Sequence, residues 1–184
     1  MKKLIFAASL LLVVVTVTAA PASLTGADTS QVGLDMLESA VAAAREDLAA
    51  TVSAGDVFDG VSPQVRDAVF EAVTAAQRAS LALWEIKNPT TRDGGRVFVL
   101  WSRAVKAAVL ATNAALKCRR HEAATHYAMV AAHAATAGYL ATGFVGHPAV
   151  FKAGELANAM TAFAKAVARH DLDAATAALT SFRP

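Results

Sequence analysis

The chain has 184 residues, enough for one domain with a core of useful size. It is 55% hydrophobic and only 17% charged, and about a quarter of it is alanine, the strongest helix former; the short alternating runs that mark a sheet are missing. Lys2 and Lys3 account for the whole formal net charge of +2, so the remainder is near neutral and implies neither nucleic acid nor an anionic membrane as partner.

Residues 1–22 read as a secretory signal peptide. Lys2 and Lys3 form a charged start, Leu4 to Val17 an apolar run, and TVTAAPAS offers cleavage after Ala22 or Ala19. An uncleaved anchor is the alternative, since Leu4 to Ala27 carries no charge and is long enough to span a bilayer. No cysteine follows the cut, which argues against a bacterial lipoprotein. The expected location is therefore exported, periplasmic or secreted, with residues 23–184 as one helical-bundle domain after a flexible leader over about 23–30.

The first helix is expected over residues 30–54. Leu34, Leu37, Val41, Ala44, Leu48 and Val52 recur at alternating spacings of three and four, which builds one apolar stripe, and Asp35, Glu38, Arg45, Glu46 and Asp47 lie mostly off it. The second starts at Ser62-Pro63, a capping hydroxyl before a proline at the first helical position. It carries Val65, Val69, Ala72, Ala76 and Leu83 and ends at Asn88-Pro89. The third opens near Asp93 and places Phe98, Trp101, Val105, Val109, Thr112 and Leu116 on one face. Arg96, Arg103, Lys106 and Lys117 form a second, basic face that reads as solvated and would suit an acidic partner.

From Arg96 to Ala137 there is neither glycine nor proline. One helix of that length would outgrow the domain, so a tight turn is expected within residues 117–121 and a fourth helix over about 121–142. Residues 129–145 are apolar apart from His133, but they are built of Ala, Gly and Thr around a costly central histidine. They read as a buried helix rather than a membrane span, and no stable span is expected once the leader is removed. GFVGHP breaks the chain, Pro148 opens a fifth helix to about residue 169, and a short sixth covers about 171–182. ALKCRRHEAAT and AVARHDLDAAT match in register, a weak internal repeat suggesting two helical hairpins of related design. The expected fold is all-α, an antiparallel bundle of five or six helices.

The stretch CRRHEAATHYAMVAAH concentrates metal-friendly side chains. At 100° per residue Cys118, Glu122, His126, Met129 and His133 fall within a quarter of the helix circumference. Copper, zinc or haem iron suit such donors, and Met36 or Met160 from other helices could complete a site. His126 and His133 are two turns apart and need a second helix between them to share an ion. Each residue also has a plain structural reading: core methionine, turn-to-turn Glu–His pair, hydrogen-bonded histidine. His147 and His170 fall at helix ends and read as caps or turn residues. There is no HExxH, CxxC, GxSxG or glycine-rich phosphate loop. A single cysteine gives no internal disulfide framework.

The function expected is that of an exported, non-catalytic helical binding or interaction protein with a protein partner or self-association and no cofactor. The alternative is a small metal- or haem-binding carrier using His126, His133, Met129, Glu122 and Cys118. An apolar ligand between helices is a third reading, with Trp84, Trp101, Phe98 and Phe144 as linings.

Overall fold

A computed structural model describes residues 28–53 and 61–181. The expected signal peptide and most of the leader lie outside the described residues. Six helices follow one another: α1 (Asp28–Ser53), α2 (Pro63–Glu85), α3 (Thr91–Lys117), α4 (His121–Phe144), α5 (Val150–Ala168) and α6 (Leu172–Ser181), and there is no strand among the described residues.

Local chemistry sets most of the boundaries. Ser62 caps α2 by accepting the Val65 N–H, with Pro63 in the first turn. At α3 the cap is Thr90 rather than Asp93. Thr90 accepts the Asp93 N–H and the Asp93 carboxylate accepts the Thr90 N–H, a reciprocal capping box. Helix α5 begins at Val150, not at Pro148. The preceding turn consumes the proline, because His147 N–H bonds back to Thr142 and Val150 N–H to His147.

The last three connections share one device. Arg119, Gly146 and His170 each have φ near +60°, and the next N–H reaches the carbonyl five residues back: Arg120 to Ala115, His147 to Thr142, Asp171 to Ala166. This is the Schellman ending, which reverses the chain within a few residues. The two turns matched in the sequence repeat are therefore alike in backbone, although neither has a glycine at the left-handed position.

Long helices joined by three to five residues and packed along their length must run antiparallel. The pairings agree. Gly138 of α4 faces Trp101 of α3, and Gly94 faces Val145; Gly154 of α5 faces Tyr139 of α4. Helix α4 lies at the centre and packs on α1, α3 and α5, while α2 covers α3 and α6 covers α5. Its twelve buried residues, Ala124 through Thr142, occur all round the helix, and eight of them are alanine. A helix apolar on every side belongs in a core, and small side chains let three neighbours approach it. A Cβ on Gly138 would come within 3.0 Å of Trp101 Cβ, and one on Gly94 would collide with Val145. These glycines mark the tightest approaches to α3.

The Trp101 indole N–H is matched in the core, whereas the buried Trp84 Nε1 has no hydrogen-bond partner. Trp101 Nε1 donates to Ser80 Oγ at 2.8 Å, and Ser80 donates to the Ala76 carbonyl, which ties α2 to α3 in the dry core. Trp84 stacks on Phe144 with ring centres 4.2 Å apart, closing the end where α2 and α4 meet. By length and composition α3 could cross a bilayer, the one such helix among the described residues.

Candidate functional site

The α1–α4 contact holds the histidines singled out in the sequence. His126 Nδ1 lies 3.0 Å from Asp47 Oδ1, and His133 Nε2 lies 3.4 Å from Asp47 Oδ2. Two imidazoles about 10 Å apart along the helix axis thus converge on one carboxylate of a second helix. Side chains on a helix tilt toward its N-terminus. His133 accordingly leans toward Asp47 and reaches it with its far nitrogen, while His126 leans away and uses its near one.

The cluster is partly wet: the side chains of His126, His133 and Asp47 are 30%, 28% and 20% exposed. Burial pushes the Asp47 carboxyl up, but the hydrogen bonds to His126 and His133, with their charges, outweigh it and hold the group below its ordinary value. The hydrogen bond to Asp47 raises His126 above its ordinary value; burial opposes this, and the charges of Asp47 and Glu122 add to it. Both shifts favour the charged pair over the neutral one.

Of the five residues in the metal reading, only His126 and His133 are brought together, and they meet through Asp47. Glu122 is exposed and acts on His126 through its charge. Met129 is half-buried against the core. Cys118 is the exposed C-cap of α3, so the turn takes it off the α4 line. Met160 is buried in α5. Among the described residues, no group of three or more His, Cys, Asp or Glu side chains is arranged to hold a metal ion. His147 fills its expected turn role, its Nδ1 accepting the Ala149 N–H at 3.0 Å.

Asp47 is the residue that the stripe analysis missed. Ala40, Ala44 and Thr51 are buried, and Asp47 completes their four–three–four spacing on the inner side of α1. A carboxylate at a seam position next to core alanines needs a partner, and that was the available signal.

A second feature is the outward face of α3. From Arg92, the residues at alternating steps of four and three are all exposed: Arg96, Val99, Arg103, Lys106, Leu110 and on to Lys117. Val99 is 49% and Leu110 54% exposed. The only acid in α3, Asp93, is engaged in the capping box. Helix α1 carries the opposite pattern, with Val32, Asp35, Ser39, Ala42, Glu46 and Ala49 exposed at the same alternating steps. Between α1 and α2 runs an open groove of about 270 Å³ floored by Leu37, Val41 and Ser80 and edged by Arg45, Gln77 and Leu81. The aromatic residues expected to line an apolar site do not line this groove. Trp101 is core, and Trp84 packs on Phe144.

No family model matches the chain, and neither the curated proteins nor the solved structures contain a match.

Proposed function

We propose that this chain is an exported, non-catalytic interaction protein that associates with further copies of itself through two outward helix seams. The observation that carries this reading is the α3 face, on which five cations, from Arg92 to Lys117, are interspersed with Val99 and Leu110 at heptad spacing. Such a seam is what a helix presents to another helix. The α1 seam is small and acidic, with Asp35 and Glu46 on it and Glu38 beside it. The two are complementary in charge and in bulk: long basic and apolar side chains on α3 meet alanine, serine and short acids on α1. A contact between unlike surfaces is heterologous and leads to rings or open chains rather than closed two-fold dimers. The alternative of a copper, zinc or haem carrier built on the α4 stripe has less support, because Asp47 occupies the facing nitrogens of His126 and His133.

Sedimentation velocity across protein concentrations, at low and high ionic strength, tests the reading. Association at low salt that weakens at high salt is expected, because exposed charges are screened. Reversing Arg103→Glu and Lys106→Glu together abolishes it, and adding Asp35→Lys with Glu46→Lys restores it. A monomer under every condition, or association indifferent to these reversals, overturns the reading.

A further inference from the structure

The two turns of the internal repeat also meet in space. His121 is the first residue of α4 and His170 the left-handed residue between α5 and α6. They are 49 positions apart in sequence, yet their Nδ1 atoms lie 3.2 Å from each other, and both side chains are exposed. The antiparallel α4–α5 pairing explains the meeting, since it brings the start of one helix beside the end of the other. Histidine is among the few residues that tolerate the left-handed region, and at His170 that backbone holds the ring against the neighbouring helix start.

We propose that His121 and His170 form a chelating pair for a borderline divalent ion, copper(II) above zinc(II) or nickel(II), at this end of the bundle. The site is independent of the association seams and of the Asp47 cluster. Two imidazole nitrogens bound to one ion at about 2.0–2.1 Å lie about 2.9–3.4 Å apart, and the observed separation falls inside that span. Without an ion the same separation serves a hydrogen bond between the two rings. The ring centres are 4.6 Å apart with the planes at 87°, an edge-to-face arrangement that keeps both Nδ1 atoms side by side. Neutral imidazole suits these metals, and copper(II) heads the order of affinity. Two protein ligands leave the remaining positions to water or to a small exchangeable ligand.

The test is calorimetric titration of copper(II) chloride into the full chain at about pH 7.5, where imidazoles are mostly neutral, with paramagnetic resonance of the loaded protein. One equivalent should bind and show two nitrogen ligands. His121→Gln and His170→Asn each keep the local backbone, asparagine being at ease in the left-handed region. Each should weaken binding by on the order of a hundredfold, the loss expected when a second grip is removed. His126→Gln with His133→Gln should leave the affinity unchanged. Absence of saturable binding, native affinity retained in either turn variant, or loss confined to the His126/His133 variant overturns the proposal. Circular dichroism on every variant ensures that lost binding is not lost fold.

Discussion

At Asp47 a single carboxylate decides how two turns of α4 sit on α1. It is mostly buried and bonded to His126 and His133 through both oxygens. Removing it leaves two imidazoles facing a half-dry gap. Asp47→Asn should therefore lower the unfolding free energy by about 1.5–3 kcal/mol, the range for hydrogen bonds to charged groups. The pH dependence follows from the two directions of shift. His126 is raised in the folded chain, so its contribution is complete below about pH 6.5 and fades as pH climbs through the higher folded value. Asp47 is lowered, so its contribution is present above about pH 4 and fades as pH falls through the lower folded value. The pair stabilises most between those limits. Urea midpoints measured from pH 4 to 9 should decline on the alkaline side of neutrality in the native chain, and Asp47→Asn should flatten that decline. An unchanged slope would refute the linkage.

At the scale of elements, turns and close approaches set the geometry. Arg119 and His170 adopt a conformation that costs non-glycine residues about 1–2 kcal/mol. Glycine removes that strain but gains freedom when unfolded. Arg119→Gly should thus raise stability by up to about 1 kcal/mol, visible as a higher thermal midpoint. A lower midpoint would mean that the Arg119 side chain contributes more than its backbone strains. The α3–α4 approach makes the opposite prediction. Gly138 sits against Trp101, whose ring is fixed by Ser80. Gly138→Leu should destabilise the chain by about 1–3 kcal/mol through overpacking. Near-native stability in that variant would show that the two helices can separate without loss.

For the whole molecule, charge is segregated although the total is small. Helix α1 presents acids outward and α3 presents bases outward, around an almost uncharged α4. A near-neutral sum over the chain conceals this segregation. The salt-dependent association proposed above belongs to this scale, because it depends on two faces of one molecule meeting two faces of another.

Much of the fold was legible. The α1 stripe predicted buried Leu37, Val41, Ala44 and Leu48, and Ser62-Pro63 marked the start of α2. The unpunctuated run from Arg96 had to turn near Cys118, and it does. The candidate site was legible only in part. The imidazoles stood out on one face of α4, but their partner lies 79 residues upstream of His126, and His121 found His170 instead of the stripe.

The division has a physical cause. Helix period, caps and breaks arise from interactions within a few residues, so the sequence by itself determined five or six helical segments, their boundaries to within a turn, and the likeness of two of their turns. Which helix lies innermost, which carboxylate meets which imidazole, and which charged faces remain outward depend on packing between segments far apart in the chain. Many arrangements of alanine-rich helices satisfy the same local pattern. The tertiary structure selected the one in which α4 is surrounded, because only the helix with the smallest side chains admits three neighbours at once.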